Sequence, residues 1–135
     1  MVQNMTQSEK DLLVKDLSAR LPYSVKVKFN YIFTSPAILK GINKDSIECD
    51  IAVCELEDVK PYLFPLSSMT AEQLYELREM FGFEIEFDNI GIEFNGCLSY
   101  LEMDALFEWL DRHHFDCRDL IPMGLALDAS NLNIY

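Results

Sequence analysis

Apolar and polar residues alternate in three consecutive stretches in the first half of the chain. SVKVKFNYIF at 24–33 turns Val25 and Val27 to one face and lysines to the other, a period of two that predicts a half-buried strand with a basic outer face. AILKGI at 37–42 and SIECDIAVC at 46–54 follow after a Ser-Pro break and an Asn-Lys-Asp turn. Short strands joined by tight turns predict a bent antiparallel meander, with closure into a small barrel-like sheet as the alternative.

The third of these stretches, residues 46–54, is predicted to be one continuous strand. Its alternation would turn four apolar side chains inward, namely Ile47, Cys49, Ile51 and Val53. Cys49 and Cys54 would then face opposite sides of the strand and could not bond to each other. Together with Cys97 and Cys117 they match neither a CxxC zinc ribbon nor the dense disulfide framework of a small secreted protein, so we predict free buried thiols.

The chain begins with a helical pattern. Residues 8–20 and the residue that follows carry leucines at helical spacing, Leu12, Leu13, Leu17 and Leu21, which predicts an amphipathic helix. A capping box formed by Thr6 with Glu9, or by Ser8 with Asp11, would begin this helix, and Pro22 would end it.

Two further helices are predicted in the second half. A capping box of Thr70 with Gln73, or Ser68 as the alternative N-cap, begins a middle helix whose apolar stripe ends at Gly82. Ser99 and Glu102 form another capping box, at the start of a C-terminal amphipathic helix that would end at His113 or His114. The buried face of that helix would include Leu101, Ala105, Leu106, Trp109 and Leu110. The rest of the chain predicts a turn followed by a strand or an extended tail.

A proline-rich segment separates the meander from the middle helix. Residues 59–68, VKPYLFPLSS, contain two prolines. Because proline cannot donate to a sheet ladder, we predict an extended connector here and not a central strand. Tyr62 and Phe64 in this connector, together with Tyr100, are the aromatic residues that we expect to be exposed for contact with a partner.

An acidic hairpin is predicted after the middle helix. FEIEF at 83–87 alternates apolar and acidic residues, and IEF at 92–94 is its expected partner strand. Three glutamates would share the outer face of this hairpin, Glu84, Glu86 and Glu93. Like charges on one sheet face cost about 0.2–1 kcal/mol each, and the outward Lys26 and Lys28 are the predicted partners that offset them. The same three glutamates are the predicted interaction surface.

The length and the hydropathy pattern predict a single domain spanning residues 1–135. At 135 residues, half of them hydrophobic, the chain is long enough to bury one core. Its apolar runs are far shorter than the roughly 20 residues that a membrane-spanning helix needs, and its polar start MVQNMTQSEKD lacks the apolar region of a signal peptide. We therefore expect a cytoplasmic protein without a membrane partner.

The net charge of −12 is unevenly distributed along the chain. Residues 1–44 carry +4 and residues 45–135 carry −16. An acidic surface repels nucleic acid and anionic membranes, so direct binding of DNA or RNA is not expected. Two interpretations stay open: the basic third docks against acidic faces of the same chain, or the acidic surface is offered to a basic protein partner.

The stretch HHFDCR at 113–118 combines residue types that could bind a metal or activate a nucleophile. Adjacent helical residues point about 100° apart, so the two histidines could not share one metal ion as an i, i+4 pair does. Histidines in a last helical turn bond free carbonyls and interact favourably with the helix dipole. We therefore interpret the stretch as a helix ending, and a small-ligand or catalytic site formed by His114, Asp116 and Arg118 is the alternative.

Signatures of catalysis and of cofactor binding are missing from the sequence. There is no GxxxxGK[ST], GxGxxG or GxSxG motif and no calcium loop. A Cys117 nucleophile with His114 as its base would also need a group that orients the base and an oxyanion-binding site, and no sequence feature indicates either of these. We predict no catalytic residue, no metal site and no cofactor.

Two blocks of sequence carry a resemblance to a known group of proteins. KPYLFPLSSMTAEQ at 60–73 and HFDCRDLIPMGLALDA at 114–129 are similar to blocks of short uncharacterised proteins of gut Bacteroidales and of their phages and mobile elements. In those proteins an SSMT segment opens a helix, followed by an HFDYRGLI…GLAL block. The similarity covers residues 60–135, with a weaker match at 21–29. Members carry Tyr and Gly at the positions of Cys117 and Asp119, so a mechanism that needs Cys117 would not be shared.

These observations predict an α+β domain in which three helices pack with a bent antiparallel sheet. The predicted function is that of a non-enzymatic accessory protein of a phage or mobile element, which binds a basic host or element protein through its acidic surface. In the predicted block His114–Arg118, Asp116 would cap a nearby amide or pair with Arg118, and Phe115 would fill the core. Assembly through edge strands is a further alternative function.

Overall fold

The computed structural model describes residues 5–29, 36–43, 46–81, 85–87, 92–94 and 100–135. It confirms an α+β fold with three α-helices: α1 at Gln7–Arg20, α2 at Ala71–Phe81 and α3 at Tyr100–Arg112. Short 3₁₀ turns at Leu21–Tyr23, Leu56–Asp58 and Leu66–Ser68 link helices and strands. Within the described ranges, no helix is both long and apolar enough to cross a membrane.

Two of the predicted capping boxes are present. The Thr6 hydroxyl accepts from the Glu9 N–H at 3.1 Å, and the Glu9 carboxylate accepts from the Thr6 N–H at 2.9 Å. Thr70 and Gln73 exchange the equivalent bonds at the start of α2. Each pair satisfies two N–H groups that a helix end leaves without an intrahelical partner. The predicted capping residue of α3, Ser99, lies outside the described residues.

The main sheet has six strands: β1 at Lys26–Phe29, β2 at Ala37–Ile42, β3 at Ile47–Cys49, β4 at Val53–Cys54, β5 at Val59–Leu63 and β8 at Leu127–Asp128. Their order is β4-β3-β2-β1-β5-β8. The first four form an antiparallel meander, with one strand more than the three predicted, and β5 adds antiparallel to β1, whereas β8 runs parallel to β5. The sheet is bent but open, with β4 and β8 at its ends. The barrel-like alternative is therefore wrong.

Residues 46–54 form a hairpin and not the predicted single strand. The Cys49 N–H donates to the Ala52 carbonyl at 2.9 Å, which closes a tight turn between β3 and β4. The turn interrupts the alternation, so Ile51 and Val53 do not face the core and are 49% and 64% exposed. The prediction that both point inward is wrong because it extended the alternation of inward and outward residues through the turn, where the strand is interrupted.

The prediction of a connector at 59–68 is also wrong over its first half, where β5 lies between β1 and β8. Pro61 lies opposite Val27 of β1, while β8 pairs only with the next two residues of β5. The missing N–H of Pro61 therefore interrupts no bond to β8. Inside this strand Tyr62 is only 7% exposed, so it is not the accessible contact residue that we expected.

The core has two parts. The first lies between α1 and the sheet and is built from aliphatic residues including Leu13, Leu17, Val27, Leu39 and Leu63. The second lies between α2 and α3 and is built from Leu66, Leu77, Leu106, Trp109, Leu110 and Phe115. The end of α3 belongs to the second part, and the loop after it contributes Leu120 and Leu125 to the first. The HHFDCR stretch thus lies where the two parts of the core meet.

The predicted acidic hairpin is present as a separate two-stranded sheet. β6 at Ile85–Phe87 pairs antiparallel with β7 at Ile92–Phe94, and Glu86 lies opposite Glu93 in the register. Glu84 lies outside the described residues. The register confirms that two of the three predicted glutamates are neighbours across the hairpin.

Candidate functional site

The HHFDCR stretch ends α3 in a Schellman motif. The Phe115 N–H donates to the Leu110 carbonyl at 2.9 Å, and the His114 N–H donates to the Asp111 carbonyl at 3.2 Å. These are the two bonds that define the motif, and they place His114 at the position that adopts the left-handed conformation. Its φ is +64°. A residue with a side chain adopts this conformation at a cost of about 1–2 kcal/mol, so the motif confirms the predicted helix ending without the usual glycine.

Backbone bonds on either side of Phe115 attach the end of α3 to Phe64, the residue that follows strand β5. The Phe64 N–H donates to the His114 carbonyl and the Asp116 N–H donates to the Phe64 carbonyl, both at 2.8 Å. The Phe115 ring is buried and stacks on Trp109 at 5.9 Å, which confirms that it fills the core. The Asp116 carboxylate accepts from the backbone N–H groups of Leu120 and Ile121 at 2.8 and 2.9 Å. Asp116 therefore caps amides, the first of the two roles predicted for it.

A buried ion network joins α1 to the end of α3. It contains Asp16 and Arg20 of α1, Asp111 of α3, and Arg118 in the loop. Asp16 accepts from Arg20 Nε at 2.9 Å and from Arg118 Nη1 at 2.8 Å. Asp111 accepts from Arg118 at 2.8 and 3.2 Å and lies 3.6 Å from Arg20. The two arginines and two carboxylates balance, so the network adds no net charge to the interior.

Arg20 is as fully enclosed as Asp16 in this network. Its side chain is fully buried, and its Nη2 donates to the Phe115 carbonyl at 2.5 Å. Its Nη1 is also buried and has no hydrogen-bond partner within the described part of the chain. Arg20 thus connects α1 to the Schellman motif directly, through the same residue that fills the second part of the core.

Cys117 is enclosed by this network and is poorly suited to be a nucleophile. Its thiol lies 3.7 Å from Asp111 Oδ1 and 3.4 Å from Arg118 Nη1. Burial raises the pKa of Cys117 to about 12, although the two nearby arginines oppose this shift. The thiolate that a nucleophile needs is therefore scarce at neutral pH. The geometry agrees with the structural interpretation of the stretch.

Of the four network residues, only Arg118 was among the predicted candidate site residues. Asp16 and Arg20 have the i, i+4 spacing of an ordinary surface pair, and their partners are about a hundred positions away. One signal was available in the sequence. Both residues fall on the same helical face as Leu13 and Leu17, where a charged residue must find a partner.

His114 faces a second cluster, in which Tyr135 is the central residue. The two rings stack with centroids 3.9 Å apart. The Tyr135 hydroxyl accepts from the Lys26 N–H at 2.8 Å and donates to the Tyr62 carbonyl at 2.9 Å. Burial, followed by the charge of Arg20, lowers the pKa of His114 to about 4. The ring is therefore neutral at pH 7, and its Nδ1 has no hydrogen-bond partner among the described residues.

The predicted interaction residues are only partly described by the structure. Phe64 is partly buried and packs against Phe115 and Tyr135 at 6.0 and 5.6 Å. Lys26, predicted to offset the hairpin glutamates, directs its ammonium to the Ile134 carbonyl and lies over the Tyr135 ring. Glu86 and Glu93 are described only as backbone, as is Tyr100 at the start of α3. The interaction surface expected from these residues stays a prediction.

The exposed side of α2 combines carboxylates with large apolar side chains. Glu72, Tyr75, Glu76, Glu79 and Met80 are all exposed, and their spacing places them on one face of the helix. Tyr75 and Met80 are 65% and 52% exposed. The opposite side of α2 carries the buried Leu77. We call these five residues the acidic face of α2; sequence reasoning missed it because it followed the buried stripe of this helix.

Part of the basic segment at residues 1–44 contacts acidic residues of the same chain. This agrees with one of the two interpretations of the uneven charge distribution. Lys10 of α1 lies 2.7 Å from Glu57 in the turn before β5, and Arg20 contacts Asp111. These contacts bind positive charge internally. Because the network itself is neutral, the net charge of −12 lies outside it.

Among the described residues near His114–Arg118, the side chains form no metal-binding group, and the cavity beside Asp116 is small. The described residues contain no group of three or more His, Cys, Asp or Glu side chains that could hold a metal ion. A cavity of about 200 Å³ lies beside Asp116, Asp119, Ser67 and Ile121, below the roughly 300–1,000 Å³ typical of ligand pockets. Both oxygens of Asp116 already accept amides. Asp116 and Arg118 thus have partners within the chain.

Comparison with known proteins assigns no family to this chain. No family model, no curated protein and no solved structure matches it. The resemblance of residues 60–135 to Bacteroidales and phage proteins stays a prediction. A functional proposal therefore depends on the contacts described above.

Proposed function

We propose that this protein is a non-enzymatic accessory protein of a phage or mobile element, and that it binds a basic protein through the acidic face of α2. The observation that carries the proposal is the exposure of Tyr75 and Met80 among Glu72, Glu76 and Glu79. Residues five positions apart point about 140° from each other around a helix, so Tyr75 and Met80 each offer an apolar contact on a different edge of the row of glutamates. Tyrosine in particular is enriched among residues that dominate binding energy.

The arrangement of charge on this face favours a basic partner. The three glutamates recur about once per helical turn, so their backbone positions are about 4.5–6 Å apart along the axis. The three carboxylates lie along the middle of this face, with Tyr75 on one edge and Met80 on the other. They steer a partner of opposite charge and speed its association, and they repel nucleic acid.

The internal role of the basic residues supports the same proposal. Arg20 and Arg118 lie in the neutral network, and Lys10 is engaged by Glu57. Arg20 and Arg118 are used inside the fold and the partly exposed Lys10 is paired with Glu57, so none of these three cations offsets the carboxylates of α2. A partner that supplies lysine or arginine would therefore meet a surface of strong negative potential.

The test is affinity capture from a Bacteroidales lysate with three forms of the full chain. The first is wild type, and the second is the face variant Glu72→Gln/Glu76→Gln/Glu79→Gln. The third is a control variant, Glu48→Gln/Glu55→Gln/Asp104→Asn, which removes the same charge at exposed positions elsewhere. Any captured protein is then purified, and its Kd is measured for all three forms at about 0.05 and 0.5 M salt.

The proposal expects a basic protein that wild type and the control bind alike. The face variant and Tyr75→Ala should each weaken binding at least about tenfold, equivalent to 1.4 kcal/mol. High salt should weaken wild-type binding. Equal affinity of all forms, or no specific capture by wild type, would contradict the proposal.

A further inference from the structure

We propose that the cleft around the Tyr135 ring is a phenol-binding pocket, occupied in cis by residues 131–135 and able to accept another phenolic ring in trans. The ligand class is a phenol, either a small molecule or the tyrosine side chain of a second chain. This pocket is distinct from the acidic face of α2, so the two proposals can fail independently.

The polar end of the pocket is a gap in the sheet. The register of β1 and β5 pairs Val27 with Pro61, Lys28 with Lys60 and Phe29 with Val59. Extending it by one position places Lys26 opposite Tyr62, where the hydroxyl of Tyr135 bridges the two backbones. It accepts from the Lys26 N–H at 2.8 Å and donates to the Tyr62 carbonyl at 2.9 Å. A phenolic hydroxyl thus stands where the sheet would form a backbone hydrogen bond.

The walls of the pocket select an aromatic ring. His114 stacks on one side with an interplanar angle of 17°, and Phe64 contacts the ring at a tilt of 55° with centroids 5.6 Å apart. The Lys26 ammonium lies 5.5 Å from the ring centroid, within the range of a cation–π contact. The Schellman motif fixes His114, and the sheet fixes Lys26 and Tyr62. The walls therefore belong to elements held by contacts other than those with Tyr135.

The pocket distinguishes a phenol from related groups by its two backbone bonds. A hydroxyl can accept from Lys26 and donate to Tyr62 at once, whereas a phenylalanine ring would leave both groups without a partner. A phosphorylated or sulfated tyrosine would have no proton to donate to the Tyr62 carbonyl, and it would place its charge inside the sheet. Burial raises the pKa of the Tyr135 hydroxyl, so the proton needed for donation is retained.

The occupant is attached in a way that permits exchange. Tyr135 as a residue is 39% exposed although its hydroxyl enters the sheet, because its backbone lies outside. Leu132 in the same segment is exposed, and Asn133 has a φ of +52°. Besides the ring contacts, the Ile134 carbonyl accepts from the Lys26 ammonium. Outside the pocket, the Leu132 N–H donates to the Ala129 carbonyl at 3.1 Å. Among the described residues the hydrogen bonds outside the ring cleft are thus few, a property of chain regions that open locally at low free-energy cost.

The experiment removes the Tyr135 ring by mutation and adds a phenol as a free ligand. The full chain carrying Tyr135→Ala is titrated with phenol and with benzene, which has the ring but no hydroxyl. Melting temperature and the amide resonance of Lys26 are recorded. Phenol should raise the melting temperature in a saturable manner and shift the Lys26 resonance, and benzene should do so clearly less. Wild type, with its pocket filled, should respond to neither at the same concentrations.

A second arm distinguishes the two sources of the phenol. A peptide with the sequence of residues 129–135, ASNLNIY, is added to the same variant in trans. Binding at least about tenfold tighter than that of phenol indicates exchange of this segment between chains, whereas equal or weaker binding indicates a site for a small phenolic molecule. If Tyr135→Ala does not fold, the peptide is titrated against wild type, where it should displace the internal ring and change the His114 ring resonances. No response to phenol or peptide, or equal effects of phenol and benzene, would overturn the proposal.

Discussion

Replacing Asp16 with alanine should destabilise the chain far more than removing an exposed carboxylate of the same spacing. Asp16 is fully buried and holds Arg20 at 2.9 Å and Arg118 at 2.8 Å. Hydrogen bonds to charged groups contribute about 1.5–3 kcal/mol each. Removing one partner of a buried ion pair costs about 3–5 kcal/mol in total, because it leaves an uncompensated charge in the interior.

That cost is large compared with the stability of a domain. A chain of this size has a free energy of unfolding of about 5–15 kcal/mol. The loss should lower Tm on the order of 10–20 °C, since about 1 kcal/mol corresponds to a few degrees at this length. Arg20 should bear most of the effect, because it is fully enclosed and, among the described residues, keeps only Asp111 at 3.6 Å as an acidic partner. Arg118 is 14% exposed and can turn toward water.

The assay is urea unfolding of wild type, Asp16→Ala and a matched control, Glu108→Ala. Glu108 pairs with Arg112 at 2.6 Å with the same i, i+4 spacing, but on the exposed side of α3. Exposed pairs of this kind contribute a few tenths of a kcal/mol. If the two variants differ by less than about 1 kcal/mol, the network does not stabilise the junction between α1 and α3. Adding Arg20→Met to an Asp16→Leu variant should recover part of the loss, because apolar residues that replace a buried pair leave no unpaired charge.

Three further predictions concern the residues around His114. Tyr135→Phe should cost about 1–3 kcal/mol in urea unfolding, because the Lys26 N–H and the Tyr62 carbonyl lose their partner; a change as small as that of exposed Tyr75→Phe would contradict this. Asp116→Ala should cost about 2–3 kcal/mol through the loss of two amide bonds, and Asp104→Ala, at an exposed position on α3, serves for comparison. The pKa of His114 is lowered from 6.5 to about 4 by burial, so the stability that its neutral ring contributes is complete above pH 6.5 and is lost as pH falls toward 4. His114→Asn should make the urea midpoint less dependent on pH between 4 and 6.5, and asparagine tolerates the left-handed conformation at this position. If the midpoint of this variant depends on pH as steeply as that of wild type, groups other than His114 cause the dependence.

Local patterns were sufficient to predict the helices and the meander. The Thr6 and Thr70 capping boxes are written in four consecutive residues, and each forms as predicted. The turn between β3 and β4 was missed because Asp50-Ile51 contains none of the glycine or asparagine pairs that announce a tight hairpin. β5 was missed because the cost of a proline in a strand depends on whether its missing N–H would have bonded to a neighbouring strand. At Pro61 this depends on which strands lie beside β5.

The candidate site divides in the same way between local and distant contacts. The helix ending at His114 and the capping role of Asp116 involve neighbours in sequence and were predicted. The bond from Arg20 to the Phe115 carbonyl joins residues 95 positions apart, and the Tyr135 hydroxyl reaches Lys26 over 109 positions. No periodicity encodes such pairs, because they depend on how the elements pack. Buried charge on the apolar face of α1 was the single sign of them in the sequence.

The separation of the network from the acidic face of α2 has a consequence for both proposals. Arg20, Asp16, Asp111 and Arg118 join α1 to the end of α3, whereas the acidic face lies on the exposed side of α2. Substitutions at exposed positions usually change stability by less than about 0.5 kcal/mol, so variants of that face should unfold like wild type. A loss of binding in those variants is then a property of the surface itself. The Tyr135 pocket lies beside the network and shares His114 with the Schellman motif, so its variants need the stability measurements above before any loss of binding is interpreted.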